Sequence, residues 1–132
     1  MHSIHFNVED NVFVSGTEET LRSAFWNLIN NAIIYTQKGG KIEVSCLKSE
    51  GGKVFFAVSD NGPGIEAHHI DKLTERFYRV DCAGSWESRG TGLGLSIVNE
   101  IVQKYGASLN IESQPNIGSK FSIIFPPIVT DV

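Results

Sequence analysis

The chain has 132 residues, a length that suits one domain, able to bury roughly two-thirds of its unfolded surface without cross-links. Its composition, 41% hydrophobic and 20% charged, is that of a soluble globular domain, and it shows no long apolar span and no leader pattern, so it is not expected to cross a membrane itself. A formal net charge of -4 weighs against a nucleic-acid binder.

Ser3 to Val8 alternates apolar and polar residues as a half-buried strand does, and Asn11 turns the chain into a short strand at Val12 to Val14. Thr17 is placed to cap a helix whose first turn carries Glu18 and Glu19, favourable at the positive end of the helix dipole. That helix is predicted to run to about Tyr35, because Leu21, Ala24, Phe25, Leu28, Ile29, Ala32 and Ile33 recur on one face. Gly39-Gly40 ends it, and strands follow at Lys41 to Leu47 and Lys53 to Ser59, joined by a hairpin turn at Glu50-Gly51-Gly52. A short helix is expected over Glu66 to Leu73, a loop over Ala83 to Gly90, and a helix over Leu93 to Tyr105 with Leu93, Ile97, Ile101 and Val102 on one side. Ser108 to Ser113 and Ser119 to Phe125 read as the last strands, closed by Pro126-Pro127. The order predicts an α+β fold: a two-layer α/β sandwich, its mixed sheet of about five strands covered on one face by about three helices. One domain is expected over residues 1–132.

Cysteine and histidine add little chemistry. Cys46 and Cys82 lie far apart, with no CxxC pair and no disulfide framework. His68 and His69 are neighbours, so on a helix they point different ways and read as a solvated helix start rather than a metal pair.

Two glycine-rich turns are more informative. Asp60-Asn61-Gly62-Pro63-Gly64-Ile65 follows a strand, where a carboxylate can accept a hydrogen bond from an exocyclic amine such as that of adenine; an ordinary strand-to-helix turn explains the same run equally well. Gly90-Thr91-Gly92-Leu93-Gly94-Leu95 sets three glycines at every second position and leads into a helix, whose free N–H groups and dipole attract phosphate. It is neither the P-loop pattern, since no Gly-Lys-Ser or Gly-Lys-Thr follows, nor a dinucleotide fingerprint. Asn27 and Asn31 lie one turn apart on the long helix, with Tyr35 continuing their face and Asn30 on another. Asparagine lowers helix propensity, so the pair has either a structural reason, amides bonding to nearby backbone, or a functional one, amide oxygens holding a hard cation such as Mg2+.

Together these residues resemble the catalytic ATP-binding domain of bacterial sensor histidine kinases, within the superfamily that includes gyrase, Hsp90 and MutL. Asn27 to Thr36 resembles the N box of that family, Asp60 to Ile65 the G1 box, Glu75 to Asp81 the F box, and Gly90 to Leu95 the G2 box, in the family's order and over nearly the whole chain. The F box and its flanks look most like the phosphate-regulon sensors. The resemblance implies that Asn31, with Asn27, holds Mg2+ and the ATP phosphates. It implies that Asp60 bonds the adenine amine in a pocket shaped by Gly62 and Gly64, with Ser119 nearby, and that Tyr35 packs on the nucleoside. Arg79 is implied to reach the phosphates, as its fixed charge and forked donors suit. Gly90, Gly92 and Gly94 become the hinge of an ATP lid over about Val80 to Arg89, and Ile65, Tyr78, Thr91, Leu93 and Leu95 complete the nucleotide contacts. Two positions depart from the family pattern. Ile34 stands where a lysine or arginine is common. Asn116 replaces the first glycine of the late Gly-x-Gly-Ser/Thr box, at a position where asparagine's tolerance of left-handed angles preserves the turn.

In the ATP-hydrolysing relatives a glutamate stands at the place of Asn27 as general base; an amide has no useful basicity, which points to an imidazole nucleophile and a histidine kinase instead. None of His2, His5, His68 or His69 has the setting of the phospho-accepting histidine. The resemblance therefore implies partners: a histidine-bearing dimerisation domain of the same parent protein, and a response regulator reached through the full kinase. It implies a cytoplasmic domain, monomeric when isolated, of a parent in the bacterial inner membrane. The alternatives are a serine kinase of the anti-sigma type, against which the Tyr78 to Arg89 segment counts, and a non-catalytic nucleotide-sensing module. Trp86 in the lid reads as surface packing or as a contact to the helical domain.

Overall fold

The computed structural model describes residues 3–9, 14, 16–36, 40–62, 64–65, 67–70, 72–73 and 94–127. Along the chain these form β1 (Ser3–Val8), α1 (Glu18–Tyr35), β2 (Lys41–Lys48), β3 (Val54–Asp60), α2 (Ala67–Ile70), α3 (Gly94–Lys104), β4 (Ser108–Gln114) and β5 (Gly118–Phe125). The five strands lie in one sheet in the order β1-β2-β3-β5-β4. β1 runs parallel to β2 and the other pairings are antiparallel. The predicted mixed sheet and two-layer architecture are therefore observed, with two long helices and the single turn of α2 making the second layer.

Side-chain alternation sorts the two faces of the sheet. On the helix-covered face, the register lines up successive ranks across β2, β3, β5 and β4. Val44, Val58, Phe121 and Ile111 form one, and Cys46, Phe56, Ile123 and Leu109 the next. These pack against Leu21, Ala24, Leu28 and Ala32 of α1 and Leu95, Val98 and Val102 of α3. Phe25 ties α1 to the sheet, stacking on Phe56 at 4.1 Å and meeting Phe125 edge-on at 6.1 Å. The rank at the end of this face departs from the apolar rule: Ile42 is followed by Asp60, Ser119 and Ser113.

Several expectations need correction. β1 is exposed along its whole length rather than half-buried. Its Ile4, Phe6 and Val8 pair with Ile42, Val44 and Cys46, yet Phe6 is 64% exposed, because α1 lies over β2 and β3 and not over this edge strand. Of the short strand expected at Val12 to Val14, Val12 and Phe13 lie outside the described residues, and Val14 packs against the core. In α3 the buried side is Leu95, Val98 and Val102, with Ile101 at its margin, whereas Ile97 is 37% exposed. Successive helical residues are roughly 100° apart, so burying Val98 turns Ile97 outward. The helix expected over Glu66 to Leu73 is the turn of α2 followed by a bend that buries Leu73. The hairpin turn is as expected, with Gly52 at φ 86 and Ser49 and Lys53 bonded across it.

Thr17 does occupy the N-cap of α1, but its hydroxyl makes no capping bond to the backbone. It donates to Thr20 Oγ1 at 2.7 Å and lies 3.3 Å from the Tyr105 hydroxyl, while the Thr17 N–H donates to that same oxygen at 3.2 Å. Tyr105 thus joins the end of α3 to the start of α1. When the Thr17 hydroxyl turns from Thr20 to donate to Tyr105, that bond first and then the Thr17 N–H favour the phenolate and lower the Tyr105 pKa to about 8. We expect absorbance at 295 nm to show one tyrosine titrating near that value and Tyr105→Phe to remove it. Because the folded value lies below the ordinary 10.0, the associated stability is full above the ordinary value and is lost as pH falls through the lowered one.

Candidate functional site

β3 carries Asp60 to the open end of the apolar face, where the sheet outruns the hydrophobic ranks. One oxygen of its carboxylate, Oδ1, accepts the Gly62 N–H at 2.9 Å. Burial raises the Asp60 pKa above its ordinary value, and the N–H groups of Gly62 and Ser119 oppose that rise. The result is a half-buried acceptor facing the place where the strands end. Next to Asp60, Asn61 folds back: its Oδ1 accepts the Lys41 N–H at 2.8 Å and its own N–H reaches the Lys41 carbonyl at 3.2 Å, pinning the turn to β2. Gly62 is buried.

The turn also packs backbone to backbone against the β4–β5 hairpin. Gly64 has φ +75, and a Cβ there would sit 2.1 Å from the Gln114 carbonyl oxygen. Gly118 has φ +149, and a Cβ there would sit 2.1 Å from the Asp60 carbonyl oxygen. Only glycine permits both approaches. Between them, Ile117 N–H closes on the Gln114 carbonyl at 3.1 Å with Asn116 at φ 67. A proline at the second turn position and a positive φ at the third mark a type II turn. Asn116 therefore keeps the left-handed angle expected where the family pattern has glycine.

Ser113 is the residue that joins these pieces. Its Oγ accepts the Ile65 N–H at 2.7 Å, donates to the Gly118 carbonyl at 3.0 Å, and lies 2.9 Å from Ser119 Oγ. Sequence reasoning found Asp60, Gly62, Gly64, Ile65 and Ser119, and the structure brings these five together; it missed Ser113, and held Asn61 and Gly118 only as members of their glycine-rich runs. One signal was available: Ser113 is in phase with Leu109 and Ile111, and Ser119 with Phe121 and Ile123. A serine at a core-facing position marks the place where a core face becomes a polar site.

On the helical side, Asn27 and Asn31 are both half-buried on α1, as is Asn30. The Asn27 amide donates to the Ser23 carbonyl at 2.7 Å, which is the structural bond anticipated for such residues. Its Oδ1 faces the first turn of α3, where a Cβ on Gly94 would lie 3.3 Å away. An amide oxygen is a ligand type that Mg2+ accepts, and the N-terminal end of α3 suits phosphate, so the residues present fit a Mg2+-phosphate group. Leu95 sits in the hydrophobic core at 8% exposure. Tyr35 is the last residue of α1; its side chain, together with Tyr78, Arg79, Gly90, Thr91, Gly92, Leu93, Trp86, Cys82 and the rest of the expected lid, lies outside the described residues.

A half-buried carboxylate at a strand end, a glycine-permitted turn beside it and asparagines on the helical side are thus gathered at one end of a two-layer α/β sandwich. Residues 16–129 match the family described as histidine kinase-, DNA gyrase B- and HSP90-like ATPases, and the chain belongs to that family. The phosphate regulon sensor protein PhoR of Haemophilus influenzae is 46% identical over 95% of this chain, and that of Pseudomonas aeruginosa 41% identical over 96%. The chain spans 29% and 28% of the lengths of those two relatives. Among solved structures, the mycobacterial sensor histidine kinase MprB superposes with a TM-score of 0.82 at 28% identity, covering 96% of this chain and 86% of that one. Full-length ShkA in complex with AMPPNP gives a TM-score of 0.82 at 25% identity, over 99% of this chain and 27% of that one.

Proposed function

We propose that residues 1–132 are the catalytic domain of a sensor histidine kinase, which binds Mg-ATP and passes the γ-phosphoryl group to a histidine on a separate dimerisation domain of the same parent protein. The observation that carries this reading is the polar rank Asp60, Ser119 and Ser113 at the open end of an otherwise apolar sheet face. Asp60 would accept the adenine amine, while Gly62, Gly64 and Ile65 form the wall of the base pocket. Asn27 and Asn31 would hold Mg2+, with the start of α3 beside the phosphates. A bound Mg2+ would neutralise charge on the phosphate oxygens. Tyr35, Tyr78, Arg79 and the glycines from Gly90 to Gly94 complete the proposed contacts.

The imidazole nitrogen of the acceptor histidine attacks the γ-phosphorus, the bond to the β,γ-bridging oxygen breaks, and ADP leaves with its electron pair. An imidazole needs no strong base, which suits the amide at Asn27. The proposed setting is a domain that is monomeric when isolated and lies on the cytoplasmic side of an inner-membrane parent, which in turn phosphorylates a response regulator. Mixing this chain with a separate histidine-bearing dimerisation domain and γ-labelled ATP tests the reading. Acid-labile label on the second domain is expected; ATP binding with no transfer would overturn the kinase assignment. In parallel, Asn31→Ala is expected to weaken ATP binding roughly tenfold in Mg2+ and little in EDTA. An equal loss in both would remove Asn31 from the metal site.

A further inference from the structure

Ser113 makes three hydrogen-bond contacts at the edge of the Asp60 turn. A serine hydroxyl has one proton and two lone pairs. At Ser113 the Gly118 carbonyl, 3.0 Å away, can only accept, so it is placed to take that proton. One lone pair takes the Ile65 N–H at 2.7 Å. The remaining contact, Ser119 Oγ at 2.9 Å, admits either hydroxyl as donor, and with the Ser113 proton on the carbonyl it is Ser119 that donates. Ser119 has no second proton, so toward the pocket it offers lone pairs alone. The register places Ser119 directly beside Asp60 on the same face, and the Ser119 side chain is 8% exposed. The two neighbouring groups are therefore both acceptors.

We infer that Ser113 is a specificity-determining positioning residue, which holds Ser119 as a pure acceptor next to Asp60 so that the pocket takes a purine bearing an exocyclic amine and rejects one bearing an oxo group there. This rests on the adenine reading of Asp60. An amine donates to both acceptors, whereas the O6 of guanine would face lone pairs on each side, an unpaired buried contact that binding does not compensate. Without the Ser113 hydroxyl, the Ser119 proton is released and can turn into the pocket to donate to O6.

The test measures dissociation constants for ATP and GTP on the intact chain and its variants. Ser113→Ala is expected to reduce the ratio of GTP to ATP dissociation constants roughly tenfold, and Ser113→Thr, which keeps the hydroxyl, to restore it. A merely structural role, through the lost Ile65 tether, would weaken both nucleotides together and leave the ratio unchanged; that result overturns the inference. Should Ser113→Ala fail to fold, Ser119→Ala removes the acceptor and leaves the Ile65 bond in place, and an unchanged ratio there overturns it equally. Asp60→Asn separates the two levels: if it binds ATP as the parent chain does, the adenine reading itself falls, whereas if it loses ATP while Ser113→Ala keeps the full preference, only the role of Ser113 falls.

Discussion

Asp60→Asn is expected to weaken ATP binding roughly 10- to 100-fold while leaving the melting temperature unchanged or higher at neutral pH. The two effects diverge because the carboxylate serves the ligand at the expense of the fold. In the free chain its pKa is raised above the ordinary value by burial, against the pull of the Gly62 and Ser119 N–H groups. A folded-state value above the unfolded one means that the folded chain binds the proton more tightly. Stability from this group therefore falls as pH rises from the ordinary carboxylate value through the raised one, and the ionised form at neutral pH is the less favourable. Asparagine removes that charge. It has only one acceptor oxygen, however, where the site asks for acceptance from Gly62, Ser119 and an incoming amine. Isothermal titration with ATP and thermal melts between pH 4 and 8 read the two effects on one pair of samples. A large drop in melting temperature with intact ATP affinity would assign Asp60 to the fold alone.

The second large effect is expected at Gly118. A Cβ there would lie 2.1 Å from the Asp60 carbonyl oxygen and 3.1 Å from Asn61 Cα. Both atoms are main chain, so no side chain can swing away to relieve the overlap. With the cost of a positive φ added, Gly118→Ala should destabilise by about 3 kcal/mol or more, a fall of roughly 10 °C in melting temperature for a domain of this size. Gly106→Ala is the matched control. Gly106 also has a positive φ, +71, but nothing lies within 4 Å of its added Cβ, so about 1 kcal/mol is expected. Equal effects at the two positions would show that the close approach of β5 to the Asp60 turn is not what demands glycine. Residual folded Gly118→Ala should bind ATP poorly, because displacing the hairpin moves Ser119 away from Asp60.

Much of this was legible in the residues. The apolar face of α1 was named residue by residue, because a period near 3.6 leaves little freedom about which side chains meet the sheet. Asp60 and the turn after it were legible as a possible base pocket, and Asn116 as a left-handed turn residue, since local backbone demands leave a mark on residue type. Two local readings failed for a common reason. The alternation in β1 predicts a half-buried strand, but burial depends on what lies above an edge, and α1 sits elsewhere. Ile97 looked as apolar as Val98, and only packing against α1 and the sheet decided which of them turns inward.

The glycines at Gly90, Gly92 and Gly94 and the asparagines of α1 raise the expectation of phosphate and metal chemistry from residue type and spacing alone. Which groups meet across the sheet was a different matter. Asp60, Ser119 and Ser113 come from three strands, and their alignment depends on the β3–β5 and β4–β5 registers; a slip of one residue would send Ser119 to the opposite face. The sequence by itself determined the two long helices, the five strands of the sheet and their order along the chain. The tertiary structure alone decided that Ser113 meets Ile65, Gly118 and Ser119 at once, because only the assembled β4–β5 hairpin and the Asp60 turn bring these groups within hydrogen-bond distance.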